Sequence, residues 1–119
     1  MRVINMTSPR TGAKVANQFM IEGDGGEYFQ SYETTIGYIS QAPNLLLVSD
    51  DYNYSKTTSK YFKQWLKERG WDSADVDRLK KLLSGAQFGQ KYGFTVGQSH
   101  YVVVLVSDVN SAIKYKMYQ

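Results

Sequence analysis

The chain has no cysteine, one histidine, two prolines and no apolar run approaching membrane-spanning length. The missing cysteine excludes disulfides, thiolate metal sites and cysteine nucleophiles. With one histidine, the only imidazole is His100, beside Ser99. That pair invites a nucleophile–base reading, but adjacent strand residues point to opposite faces, so it does not assemble. Asp50-Asp51 and the Asp72/Asp75/Asp77 group lack calcium-loop spacing, and the latter fits acids placed at a helix N-terminus. No catalytic residue, metal site or cofactor is therefore expected. The start, MRVINMTSPR, turns polar too soon for a signal peptide. With no membrane-length segment, the expectation is a cytoplasmic protein without membrane association.

What remains is a chain of ordinary globular composition, 42% apolar and 21% charged over 119 residues, enough for one domain with its own core. The net charge of +3 is unevenly spread. Residues 1–51 hold three basic and six acidic side chains, whereas residues 52–119 hold eleven basic and five acidic ones. Such asymmetry can make one face attractive to phosphate and another not.

The strongest periodicity lies in Tyr54–Arg69. At about 100° per residue, Tyr54, Thr58, Tyr61, Phe62, Trp65 and Leu66 gather on one side, and Lys56, Lys60, Lys63 and Lys67 on the other. Ser55 suits the N-cap and Gly70 the left-handed stop of a helix over 55–69. A second helix follows over 73–84, with Asp72 as N-cap, Trp71 and Val76 as a staple, and Gly85 as terminator.

Elsewhere, strand-forming runs cover Val3–Met6, the segment around Phe19-Met20-Ile21, Glu27–Tyr32, Leu45–Val48 and Tyr101–Val106. Gly23-Asp24-Gly25-Gly26 marks a hairpin. Residues 33–40 break the alternation and suggest a short helical turn. Residues 85–98, with glycine at every fourth position beside Phe88, Lys91 and Tyr92, suggest a long functional loop. Residues 113–118 alternate, suggesting a terminal hairpin with Lys114, Lys116 and Tyr118 on one face. The expected fold is α+β, a single domain over 1–119: an antiparallel sheet of about five strands with two helices on one face.

Three strings carry a resemblance: SPRTG (8–12) with NQF (17–19), GEYFQSYETTI (26–36), and DYNYSKTTSKY (51–61). Together they resemble a family of small uncharacterised proteins from phages and mobile elements of Gram-positive bacteria. In that family the third string commonly reads Trp-Asp-Tyr-Ser and ends in Phe-Leu-Gly. Here Tyr52-Asn53 and Trp65-Leu66-Lys67 stand instead. The resemblance implies a host-takeover or anti-defence setting and brings no catalytic residues with it.

Two functions follow as expectations. The first is a non-enzymatic, anti-CRISPR-like inhibitor that binds a host nucleic-acid-guided defence nuclease, with or without its guide RNA. A basic chain cannot act mainly as an acidic DNA mimic, so it would occupy a protein surface, touch the guide RNA or block a conformational step. The second is a nucleic-acid-binding accessory protein using Lys56, Lys60, Lys63, Lys67, Lys114, Lys116 and Tyr118. Like charges four apart on a helix repel, and phosphates would relieve them. A small hydrolase or nuclease is a third and weaker reading.

Overall fold

In the computed structural model, which describes residues 1–119, the first half of the chain is a meander. Strands β1 (Arg2–Thr7), β2 (Lys14–Gly23), β3 (Gly26–Ser31), β4 (Thr34–Ser40) and β5 (Leu45–Ser49) lie side by side, each antiparallel to the next. Asp24 and Gly25 both take positive φ, 55° and 79°, giving the backbone twist that a two-residue hairpin needs. The turn is pinned from the sheet: Tyr38 Oη donates to the Asp24 carbonyl at 2.6 Å, and Tyr28 Oη donates to Asp24 Oδ2 at 2.7 Å. Burial and the bond to that carboxylate push the Tyr28 phenol well above its ordinary range.

A short 3-10 turn (Asp50–Asn53) leads into α1 (Lys56–Glu68). Ser55 caps α1, its Oγ accepting from Thr58 N at 3.1 Å. Gly70, at φ 94°, ends it, and Trp71 N reaches back to the Leu66 carbonyl at 3.2 Å. After this corner, α2 (Ser73–Ser84) opens with a reciprocal capping box between Asp72 and Asp75. The backbone bond from Asp72 and the ion pair with Arg78 hold the Asp75 carboxyl below its usual range.

Both helices cover one face of the sheet. Tyr61, Phe62, Trp65 and Leu66 of α1 and Trp71, Val76, Leu79 and Leu83 pack on Phe29, Ile36, Ile39, Leu46, Val48, Val103 and Leu105. Trp65 stacks on Phe29 with ring centres 5.8 Å apart, and Trp71 stacks on Phe94 at 5.3 Å. The Trp65 indole also ties the helix to β3: its Nε1 donates to Glu27 Oε1 at 2.7 Å, and the same carboxylate pairs with Arg69.

The expected helical turn over 33–40 is strand β4. Phe29 pairs with Gly37 and Gln30 with Thr35, leaving Ile36 as a bulged extra residue. The bulge breaks the two-residue period that would have disclosed the strand. Gly37 is required there, because a Cβ would lie 2.8 Å from Trp65 Cζ3. The expected loop over 85–98 contains β6 (Lys91–Val96), joined to β7 (Ser99–Val106) across Gly97-Gln98. Phe94 is buried and Tyr92 and Val96 are half-buried, while Lys91, Gly93 and Thr95 are exposed, as befits an edge strand with one dry face.

The full sheet has seven strands in the order β1-β2-β3-β4-β5-β7-β6, and β5 and β7 run parallel to each other. The α+β class holds. The sheet exceeds the expected five strands and is not wholly antiparallel. The expected terminal hairpin is instead α3 (Val109–Lys114), capped by Asp108 Oδ1, which accepts from Ser111 N at 3.0 Å. Val109 and Ala112 pack on the second sheet face against Tyr28, Tyr38, Leu45, Leu47, Val104 and Val106. Tyr115 and Met117, which a strand would have turned inward, are exposed. Helices thus cover both faces, which is why β5 is buried along its whole length. No helix is long and apolar enough to cross a membrane.

Candidate functional site

Where β3 turns into β4, the β2 backbone and the approach to α1 stand apart and leave an open cleft of about 790 Å³. Asn17 comes from β2, Ser31 from the end of β3, Tyr32 and Glu33 from the turn, and Thr34 and Ile36 from β4. Asp51 comes from the 3-10 turn, and Tyr54, Ser55 and Thr58 from the start of α1. Each string of the sequence resemblance thus contributes to the lining: Asn17 from the first, residues within 31–36 from the second and residues within 51–58 from the third, while SPRTG itself lies outside it.

Local geometry fixes the rim. Asn17 and Tyr32 take positive φ, 65° and 57°, and Tyr32 N donates to the Asn17 carbonyl at 2.7 Å. A tyrosine in that region is strained by roughly 1–3 kcal/mol and persists only where its surroundings hold it. The Gln30 side-chain amide holds it further, donating to the Tyr32 carbonyl at 2.9 Å. Tyr32 as a whole is left 45% exposed, and Tyr54 on the other side of the lining 75% exposed. Tyr54 precedes the N-cap, so it does not join the packed aromatic face expected of it; the rest of that face is buried.

The floor is polar and internally bonded. Ser31 Oγ and Thr58 Oγ1 lie 2.8 Å apart, and Ser55 Oγ donates to Thr58 Oγ1 at 3.1 Å. Gln18, the cross-strand partner of Ser31, is wholly buried, and its side-chain amide has no hydrogen-bond partner. No histidine, lysine or arginine lines the cleft beside these hydroxyls, which bond to one another. The carboxylates of Glu33 and Asp51 make neither an ion pair nor a side-chain hydrogen bond; the three ion pairs are Arg2–Glu22, Arg69–Glu27 and Arg78–Asp75.

The sequence candidates lie elsewhere and are not brought together. Lys56, Lys60 and Lys67 are exposed on the outer side of α1, and Lys63 is half-buried beside α2. Lys80 of α2 extends this basic layer beside Lys63. Burial and the neighbouring charge of Lys63 lower the Lys80 ammonium, which donates to Ser59 Oγ at 2.9 Å. Lys114, Lys116 and Tyr118 belong to the opposite side of the sheet, where Tyr118 packs against the second core, so they cannot share a surface with the α1 lysines. Phe88 is exposed before β6, Lys91 is exposed on β6, and the Tyr92 hydroxyl accepts from Gln87 N at 3.0 Å. His100 is exposed, its Nδ1 3.1 Å from Thr95 Oγ1. No three His, Asp or Glu side chains gather where they could hold a metal ion.

A smaller depression of about 250 Å³ lies at the far end of α1, between Gly25-Gly26 and Arg69. The Glu27–Arg69 pair fills its base and is explained by its structural tie to Trp65. Sequence reasoning missed Asn17, Tyr32, Glu33, Asp51 and Tyr54. Their signal was their place in the three strings, not any residue chemistry.

The profile of a family of unknown function (DUF8033) matches residues 1–84, a span that contains every residue lining the cleft. No curated protein and no solved structure matches the chain.

Proposed function

We propose, for a chain that belongs to the DUF8033 family of unknown function, that it is a non-enzymatic interaction protein which captures a protein partner at the cleft between the β3–β4 turn and α1. The observation that carries this reading is the pair of exposed tyrosines, Tyr32 and Tyr54, set over a polar floor whose hydroxyls bond to one another. Tyrosine is enriched in interfaces because it offers a large amphipathic surface at a low entropy cost. The backbone holding Tyr32 at positive φ keeps that ring outward.

The partner we propose is a host nucleic-acid-guided defence nuclease, met in the bacterial cytoplasm as protein with or without its guide RNA. Support for this setting comes from the resemblance to phage and mobile-element proteins. Binding would act by covering a working surface of the nuclease or holding it short of its cleaving conformation. The test is pull-down and target-cleavage inhibition with a panel of such nucleases. Tyr32→Ala with Tyr54→Ala should weaken capture by about tenfold or more, as loss of aromatic anchors does. Failure to bind or inhibit any nuclease of the panel would overturn the proposal.

The lysine layer favours a second reading, a nucleic-acid-binding accessory protein. Its specific observation is the unpaired, outward-facing row of Lys56, Lys60 and Lys67.

A further inference from the structure

The cleft carries the opposite charge from the rest of the molecule. The chain is net +3, yet the cleft lining includes two carboxylates, Glu33 and Asp51, and no lysine, arginine or histidine. Neither carboxylate is satisfied within the chain. The aromatic rings that already carry a cation, Tyr61, Phe94 and Tyr115, lie elsewhere, which leaves the exposed rings of Tyr32 and Tyr54 free. The space is large enough for a side chain with part of its backbone rather than a bare ion.

Building on the proposed role of the cleft in capturing a protein, we infer that it recognises an arginine side chain of that partner. The planar cation lies against the tyrosine rings, and Glu33 and Asp51 answer its charge. Guanidinium suits this better than ammonium: it is flat, weakly hydrated, stacks on aromatic faces and offers several donors to carboxylate and hydroxyl oxygens. Thr34, exposed in the same lining, supplies a further hydroxyl oxygen. The opposing influence is the N-terminus of α1, whose dipole favours an anion. Two observations count against an anion: Ser55 Oγ already occupies the Thr58 N–H, and an anion would have to enter beside two unpaired carboxylates.

The experiment is an NMR titration of the full-length ¹⁵N-labelled protein with N-acetyl-arginine amide, alongside N-acetyl-lysine amide and inorganic phosphate. Saturable shifts at the amides of Tyr32, Glu33, Tyr54 and Ser55 are expected with the arginine compound, with a weaker response to lysine and none to phosphate. The double variant Glu33→Gln, Asp51→Asn should lower the arginine affinity by about tenfold while the rest of its spectrum is retained. Absence of a saturable shift at the cleft, an equal response to phosphate, or an unchanged affinity in the double variant would overturn the inference. Partner capture separates it from the broader reading. If the carboxylate variant captures as the parent does while the tyrosine variant fails, the cation assignment is wrong and cleft capture stands. If both capture normally, cleft capture itself is wrong. Loss of capture in both supports the arginine assignment.

Discussion

Replacing Glu27 by Gln should cost this fold more than its single lost charge suggests. The carboxylate is shared by the Trp65 indole N–H and the Arg69 guanidinium, and the Arg69 and Glu27 side chains are only 25% and 16% exposed. Glutamine keeps a carbonyl oxygen for Trp65, so the change isolates the ion pair and leaves a guanidinium already depressed by burial with only the neighbouring charge of Glu22. Removing one partner of a fully buried pair costs about 3–5 kcal/mol, and the residual exposure here brings the expectation to about 2–4 kcal/mol. An unfolding entropy of about 2.1 cal/mol/K per residue converts that to a fall in Tm of roughly 8–16 °C. Urea denaturation and calorimetry would both report it, with the urea m-value unchanged. The second arm of the cycle is Glu27→Gln with Arg69→Met, which removes the stranded charge and should recover about 1–3 kcal/mol. A single variant within about 0.5 kcal/mol of the parent, or a double variant no better than the single, would refute the reasoning.

Three further outcomes can be checked. Gly37→Ala drives a methyl into the wholly buried Trp65 ring and should cost about 1–3 kcal/mol by chemical denaturation, whereas Gly93→Ala, with nothing within 4 Å, should leave stability nearly unchanged. Because the Asp75 carboxyl is depressed in the folded state, its contribution is present above its ordinary value of 3.8 and is lost as pH falls below it. Asp75→Asn should therefore be less stable than the parent at pH 7, and the gap should close in acid-unfolding curves as the pH falls below 3.8 and through the depressed folded-state value. Replacing Lys56, Lys60, Lys63 and Lys67 by Gln should leave the circular dichroism spectrum intact; if nucleic acid is a direct target, the salt slope of binding should fall by about one unit for each phosphate the lysines had neutralised. Unaltered nucleic-acid binding in that variant would remove the second functional reading.

The two long helices were legible in the sequence because their ends are chemically marked: Ser55 and Asp72 cap their starts, and Gly70 frees the chain at the corner. Asp24-Gly25 announced its hairpin for a similar reason. The bulge at Ile36 hid β4, since an extra residue shifts every later side chain to the other face. In 91–96 the regular glycine spacing masks an alternation of Tyr92, Phe94 and Val96 that the strand uses. At the C-terminus, Ile113, Tyr115 and Met117 alternate by coincidence, while Asp108 and the spacing of Val109 and Ala112 decide for helix. The parallel pairing of β5 with β7 had no local signal, because it joins segments separated by both helices and β6. The cleft was legible only as three unusual strings. Nothing in the side chain of Tyr32 tells that its backbone turns left-handed, and Tyr54 looks like a core residue until the helix is seen to begin after it.

The parallel seam bears on how much of the chain one architectural unit requires. The span shared with the family ends with α2, yet β5 has β7 on its outer side, and Leu45, Leu47 and Tyr38 are sealed on one face by Val109 and Ala112. A chain cut after residue 84 would expose a dry, uncharged strand edge and an apolar sheet face together, the combination that recruits a foreign strand or a second copy. The cleft belongs to the shared part, but its sheet becomes a self-sufficient platform only when the last third of the chain closes over β5. In this chain the segment after α2 therefore acts as a lock on the frame that carries the cleft.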